Sequence, residues 1–93
     1  MLCDHCLERT MKKLTPNDVF VLHELKDYQT PQTGAVKAEI YDSLIDTLSH
    51  FQLTQALMRL ELLGLIGSMR VGRQTFYYCT DSGHSMLELL SEI

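Results

Sequence analysis

The sequence predicts an α+β fold that is mainly α with a small β-hairpin, in the order helix, helix, helix, hairpin, helix. Apolar residues recur at helical spacing through three segments before Gly64. Two short β-prone runs then flank Gly72, which is a hairpin signal, and helical spacing returns after Thr80. The chain of 93 residues suffices for one such domain. We assign residues 15–93 to this domain and residues 1–14 to an N-terminal arm.

The first two helices are predicted from their caps and from apolar spacing. Thr15 is placed to cap a helix over residues 16–28, and Asp18 lies where an acid favours the helix N-terminus. A loop marked by a proline and a glycine follows this helix. A second helix over residues 35–47 is indicated by an apolar repeat of four residues, formed by Val36, Ile40 and Leu44.

The third helix has the clearest boundaries. Ser49 and Gln52 match a capping box, in which each side chain accepts a hydrogen bond from the backbone N–H of the other residue. Gly64 supplies the residue that tolerates a left-handed turn at the end of the helix. The core stripe between them consists of Leu53, Ala56, Leu57 and Leu60.

The hairpin is predicted from side chains that alternate between two faces, and the last helix is predicted from a second capping residue. Phe76 and Tyr78 should face one side of the sheet, and Tyr77 and Cys79 the other. Thr80 is placed to cap the last helix. The apolar residues of that helix are Met86, Leu87, Leu89, Leu90 and Ile93.

Charge is unevenly distributed along the chain. The net charge of −4 argues against indiscriminate binding to nucleic acid. Residues 14–49 carry two lysines against six acids, whereas residues 50–80 carry three arginines against Glu61 alone. Positive charge is therefore concentrated on the third helix and the hairpin.

The segment from the third helix to the last helix resembles the winged helix-turn-helix regulators of the MarR, PadR and ArsR type. In that family a recognition helix ends in a Leu-Glu pair and a Gly-Leu-Ile turn, and the second wing strand ends in Tyr-x-Leu-Thr-x-x-Gly. The matching residues are Leu60, Glu61, Gly64, Leu65 and Ile66, then Tyr77, Thr80 and Gly83. Cys79 stands in place of the usual leucine. The tract "IYDSL" before the third helix also resembles, more loosely, the winged domain of replication initiators.

The resemblance implies a small dimeric transcriptional regulator that binds duplex DNA in a sequence-specific manner. The third helix would enter the major groove by its N-terminal turns, and the wing would reach the neighbouring backbone. Gln55 can offer a paired donor and acceptor to an adenine edge. The residues implied in DNA binding are His50, Gln52, Thr54, Gln55, Arg59, Arg70 and Arg73.

Apolar residues on the third helix suggest a second kind of contact. Met58, Leu62 and Leu63 lie where a helix on DNA or in water is usually polar. Either the N-terminal segment folds back over them, or they form a subunit or partner interface. The last helix adds Leu89, Leu90 and Ile93, which favour homodimerisation through the terminal segments. The alternative function is a winged-helix protein-interaction module that uses Met58, Leu62 and Leu63 and does not bind DNA.

Cys3 and Cys6 form the one motif with potential site chemistry. Two thiolates at this spacing can chelate zinc, and His5, His84, Cys79 or ligands from a second copy would complete the site. The pair can instead respond to redox conditions, or it has no role. Cys79 itself is better explained as a small core residue.

Membrane spans, secretion and catalysis are not expected. No apolar run approaches the ~20 residues of a membrane span, and the N-terminal charges follow the apolar part rather than precede it. We therefore expect a cytoplasmic protein. His23 and His50 have no second histidine four residues away and no carboxylate-histidine pair that makes a metal or catalytic motif. No phosphate loop or nucleophile motif is recognisable either. We expect no enzyme.

Overall fold

The computed structural model of the chain describes the backbone of residues 4–91 and the side chains of residues 8–91. Its helices are α1 (Asp4–Met11), α2 (Pro16–Glu24), α3 (Lys37–Ser43), α4 (His50–Leu62) and α5 (Asp81–Ser91). Its strands are β1 (Ala35–Val36), β2 (Ile66–Val71) and β3 (Gln74–Cys79), and a single 3-10 turn spans Pro31–Thr33. The predicted fold class, mainly α with a hairpin, is confirmed.

The three strands form one antiparallel sheet in the order β1, β3, β2. The register of the hairpin places Met69 opposite Phe76 and Ile66 opposite Cys79. Cys79 is buried and Tyr77 packs against the core, so the predicted division of the β3 side chains between two faces is confirmed. Residues 69–74, at the outer end of the hairpin, are exposed, so the tip of the hairpin does not pack against the core.

The core lies between α2, α3, α4, α5 and the inner face of the sheet. The third-helix stripe predicted from the sequence is buried in full. The buried apolar residues are Val21, Leu22, Leu25, Ala35, Ile40, Leu44, Leu48, Leu53, Ala56, Leu57, Leu60, Leu65, Ile66, Cys79, Met86 and Leu87. These residues come from four helices, three strands and the loops between them, and their burial supplies the apolar core that stabilises the domain.

The two motifs that carry the family resemblance meet at one junction. Gly64 ends α4 with φ of 77°, as predicted, and the hydroxyl of Thr80 donates to its carbonyl at 2.7 Å. The backbone N–H of Thr80 donates to the carbonyl of Leu65 at 3.1 Å. A Cβ on Gly83 would lie 2.1 Å from that same carbonyl oxygen, so only glycine fits. The spacing Thr-x-x-Gly therefore joins the start of α5 to the end of α4.

Four element boundaries differ from the sequence prediction. α1 occupies part of the segment predicted only as an arm, and it packs on α5. α2 ends at Glu24 instead of residue 28, and beyond it the carbonyl of Tyr28 accepts a hydrogen bond of 2.7 Å from the N–H of Cys79. The predicted second helix begins later, since Ala35–Val36 pairs with β3 as a strand, and it ends at Ser43.

Among the described residues, no helix combines the length and apolar character that a membrane crossing requires.

Candidate nucleic-acid interface

The N-terminal end of α4 is capped as the sequence predicts. Gln52 donates its backbone N–H to Oγ of Ser49 at 3.1 Å, and Ser49 donates its N–H to Oε1 of Gln52 at 2.9 Å. This capping box orders the first turn of α4 and satisfies two of its exposed donors. The oxygen of the Gln52 side chain is occupied there, so its NH₂ group is the part left for another partner.

A polar cluster of α3 and α4 surrounds that first turn. The ammonium group of Lys37 donates a hydrogen bond to Oγ1 of Thr54, and this hydroxyl donates in turn to the carbonyl of His50 at 2.9 Å. The imidazole of His50 stacks on the ring of Tyr41, with the centroids 3.6 Å apart and the planes 19° from parallel. Thr54 and His50, both predicted from the sequence, are thus held beside a lysine that was not predicted.

Lys37 is the site residue that the sequence analysis missed. As the first residue of α3 it lies at the positive end of a helix dipole, where a cation is unfavourable. Its position beside Thr54 depends on how α3 packs on α4, and no pattern in the sequence indicates that contact.

The wing presents two exposed arginines at its tip. A two-residue loop, Gly72 and Arg73, joins β2 to β3, and Gly72 has φ of 63°. Nε of Arg70 donates to the carbonyl of Gly72 at 3.3 Å, which holds Arg70 along the loop. The hydroxyl of Ser68 hydrogen bonds to the carboxylate of Glu61, so this face of β2 adjoins α4. Arg70 lies two residues further along the same face.

Arg59 differs from the wing arginines because it is paired inside the domain. Its Nε donates to Oδ2 of Asp18 at 2.7 Å, and its Nη2 donates to Oδ1 at 3.1 Å. The side chain of Asp18 is fully buried, while 40% of the Arg59 side chain is exposed. The hydrogen bonds and charge of Asp18 raise the pKa of Arg59 above its ordinary value. Much of the Arg59 charge is therefore compensated locally, and its contact with DNA stays a prediction.

The outward face of α4 is apolar. Phe51, Met58 and Leu62 are 70%, 60% and 86% exposed, and Gln55 lies among them. Positions 51, 55, 58 and 62 fall within about 60° of one another at 100° per residue, directly opposite the buried stripe. We call these four residues the α4 stripe. Phe51 was not singled out in the sequence, because it lies among the polar residues of the first turn.

The remaining predicted interface residues are less accessible. Leu63, Leu89 and Leu90 are partly buried and pack against the core. Since α1 packs on α5 while Met58 and Leu62 stay exposed, the described part of the N-terminal segment does not cover them. Ile93 lies outside the described residues.

The cysteines divide into one buried residue and one undescribed pair. Burial, followed by the charge of Asp81, raises the pKa of Cys79 to about 11, so its thiol stays protonated near neutral pH. This environment suits the core role predicted for Cys79. Cys3 lies outside the described residues, as does the side chain of Cys6.

Three solved structures resemble the chain over almost its whole length, although no protein-family model matches the sequence and no curated protein matches it significantly. TubR from Bacillus megaterium pBM400 has a TM-score of 0.83 and 26% identity, covering 94% of this chain and 97% of that chain. MepR of S. aureus, solved as a complex with DNA, has a TM-score of 0.74 and 23% identity, and the match covers 96% of this chain and 69% of that chain. Reduced HlyU from Vibrio cholerae N16961 has a TM-score of 0.67 and 24% identity, and the match covers 94% of this chain and 83% of that chain. Together with the recognition helix, the three-stranded sheet and the extended hairpin, these matches show that the chain has the winged helix-turn-helix fold.

Proposed function

We propose that the protein binds duplex DNA in a sequence-specific manner and regulates transcription as a small homodimer in the cytoplasm. The observation that carries the proposal is the polar and basic surface formed by the first turn of α4, Lys37 and the wing tip. Such a surface offers hydrogen-bond donors and positive charge to phosphates and base edges. MepR, a protein of similar fold, was solved with DNA bound, which supports the same use here.

In the proposed complex the first turn of α4 enters the major groove and the wing contacts the adjacent backbone. Lys37 and Thr54 lie beside that turn and are placed to reach phosphate oxygens. Arg70 and Arg73 supply charge at the wing. One subunit offers only three such cations that are not paired inside the described part of the domain. We therefore expect weak binding by a monomer and adequate binding by a dimer, since affinity depends on the number of phosphates neutralised.

The α4 stripe supplies the proposed subunit contact. Its residues are separated by four, three and four positions, which is the spacing of the a and d residues of a coiled coil. Two copies of such a helix, packed antiparallel about a two-fold axis, place Phe51 of one copy beside Leu62 of the other and Met58 beside Gln55. The α4 stripe of one copy then contacts the α4 stripe of the other, as an isologous dimer requires. Burial of these side chains would remove a large exposed apolar patch from water.

The two contacts lie on the same helix and share its first turn. The polar residues His50 and Gln52 lie on the flanks of that turn, whereas Phe51 of the α4 stripe lies on its outward side. A helix in a dimer contact cannot also lie flat in the major groove, so DNA contact would be confined to the N-terminal turn and the wing. The exposed stripe equally suits the alternative, a protein-interaction module that does not touch DNA.

Fluorescence-anisotropy titration separates these two functions. The full chain is titrated against a random duplex and a pool of genomic duplexes, each at two salt concentrations. A DNA-binding regulator gives salt-sensitive binding to both and tighter binding to a subset of the genomic pool. A folded dimer with no salt-sensitive binding would reject the proposal in favour of the protein-interaction module.

A further inference from the structure

Two side chains of α3 hold the first turn of α4. Lys37 and Tyr41 lie four residues apart on α3, so they are neighbours on one face of that helix. His50 and Thr54 have the same spacing on α4. Lys37 donates a hydrogen bond to Oγ1 of Thr54, and Tyr41 stacks on His50. Two contacts, one helical turn apart, therefore fix the first turn of α4 against α3.

The stack with Tyr41 leaves the hydrogen-bonding edge of the His50 imidazole free. The two rings are 19° from parallel, and their centroids are 3.6 Å apart. The N–H and the lone pair of an imidazole point outward in the plane of the ring, so a partner against the face of the ring does not occupy them. His50 is exposed, whereas Tyr41 is partly buried against the core. Tyr41 therefore restricts the orientation of the imidazole without using its nitrogens.

The flank of α4 that carries His50 continues into the wing. At about 100° per residue, His50, Thr54 and Glu61 fall within about 40° of one another, beside the α4 stripe. The carboxylate of Glu61 hydrogen bonds to Ser68 of β2, and Arg70 lies on the same face of that strand. The imidazole of His50 and the wing therefore lie on one side of α4, as a common DNA surface requires.

A ring N–H at this position suits one base above the others. The two nitrogens of an imidazole point in different directions, so only one of them can reach a given base edge. In the major groove guanine presents two acceptors, N7 and O6, whereas adenine presents N7 beside a donor. Cytosine presents a donor, and thymine presents one acceptor beside a methyl group. An N–H donor with a fixed orientation is therefore best matched by guanine.

We propose that His50 contacts a guanine in the major groove and that Tyr41 positions it for this contact. The inference rests on the proposed DNA binding, and it assigns a base to one residue of the recognition helix and a role to Tyr41. Because the stack already restricts the ring, less conformational freedom is lost when DNA binds. Tyr41 is thus a positioning residue that acts through His50.

The test begins with selection of binding sites from a randomised duplex pool by the full chain and by His50→Ala. Fluorescence anisotropy then gives the affinities for the selected duplex and for a duplex in which adenine replaces the guanine. The same two duplexes are titrated with Tyr41→Leu and Tyr41→Phe. Tyr41→Phe is the matched control, because it keeps the stacked ring and removes only the hydroxyl. Circular dichroism checks that each variant is folded.

We expect the unmodified chain to prefer the guanine duplex by about tenfold, the size of one good base contact. His50→Ala should abolish this preference, and Tyr41→Phe should keep it. Tyr41→Leu should reduce it to about threefold or less. In the His50→Ala background Tyr41→Leu should change the preference no further, because the two residues act as one unit.

Three results would overturn the proposal at different points. Absence of DNA binding by the unmodified chain would reject the proposed function and this inference with it. A selected site whose preferences are the same for His50→Ala would reject the base contact alone. An unchanged guanine preference in Tyr41→Leu, with equally weakened binding to both duplexes, would give Tyr41 a packing role and reject its positioning role.

Discussion

Asp18 of α2 holds Arg59 of α4 through a two-point ion pair, in which the carboxylate is fully buried and also accepts the backbone N–H of Thr15 at 3.0 Å. One side chain therefore completes the cap of α2 and fixes the orientation of α2 against the recognition helix. The pair lies 41 residues apart in the chain, so it forms only when both helices have packed.

Removal of Arg59 should destabilise the domain. Arg59→Met leaves a buried carboxylate without its charged partner, and the free energy of unfolding should fall by about 1.5–3 kcal/mol. Arg70→Met, at an exposed wing arginine, should change it by less than about 0.5 kcal/mol. Urea unfolding followed by circular dichroism measures both. Equal stability of the two variants would mean that the ion pair contributes nothing.

The wing arginines should contribute charge rather than sequence preference. Arg70→Ala with Arg73→Ala should weaken binding to every duplex. The log-log salt slope should fall by roughly two for each subunit, because each phosphate that is no longer neutralised lowers it by about 0.9. Lys12→Ala with Lys13→Ala removes the same charge from exposed residues after α1 and serves as the control. Anisotropy at several salt concentrations gives the slopes. Identical slopes for the two double variants would contradict a specific role for the wing.

Lys37 should act as one further phosphate contact. Lys37→Gln removes its charge beside Thr54, and the salt slope should fall by roughly 0.9 for each subunit. Lys26→Gln, which removes an exposed lysine in the turn after α2, is the control. A slope unchanged by Lys37→Gln, with the fold intact by circular dichroism, would remove Lys37 from the interface.

The α4 stripe should control the oligomeric state. Leu62→Glu places a charge in the proposed subunit contact, and the dimer Kd should rise by about 100-fold or more, or roughly 3 kcal/mol. Ile45→Glu makes the same change at an exposed apolar residue outside α4 and should leave the dimer intact. Sedimentation equilibrium distinguishes them. A dimer that survives Leu62→Glu would exclude this face as the contact.

Two variants of Gln55 should distinguish a contact with DNA from a contact between subunits. If it reads an adenine edge, Gln55→Ala relaxes sequence preference and leaves the dimer Kd unchanged. If it lies in the subunit contact, Gln55→Leu tightens the dimer, because a polar residue in an apolar seam lowers its stability. Binding-site selection and sedimentation on the same two variants decide between these roles. No change in either measurement would remove Gln55 from both surfaces.

Cys79 should be unreactive in the folded chain. With a pKa of about 11, only about one in a thousand of its thiols is ionised at pH 8, against about a quarter for an ordinary cysteine. Its folded pKa exceeds the unfolded value, so its contribution to stability is present below pH ~8.5 and is lost as pH rises toward 11. In a chain with Cys3→Ser and Cys6→Ser, iodoacetamide should label Cys79 rapidly only in denaturant. Rapid labelling of the folded chain would contradict this burial.

Local signals account for the parts of the fold that the sequence predicted. The caps at Thr15 and Ser49 are confirmed because each rests on residues three positions apart. The buried face of α4 is confirmed because one helix period determines it. The strand at Ala35–Val36 was missed because its partner, Phe76 and Tyr77, lies some forty residues further along the chain. Its apolar spacing was also compatible with a helix.

The candidate DNA surface was only partly predictable, because some of its contacts join residues that are distant in the sequence. The polar first turn of α4 and the arginines at the hairpin tip were found from residue type and context. Lys37 was not, because its position beside Thr54 depends on how α3 packs on α4. Arg59 was assigned to DNA on charge alone, and only the packing of α2 reveals that Asp18 is its partner.

The sequence by itself determined where most helices begin, where α4 ends, and that a hairpin follows, since caps, glycines and periodicity act within a few residues. The tertiary structure alone decided which charges are paired and which apolar side chains stay exposed. The physical reason is that charge pairing and burial depend on groups that are distant in sequence and adjacent only after folding.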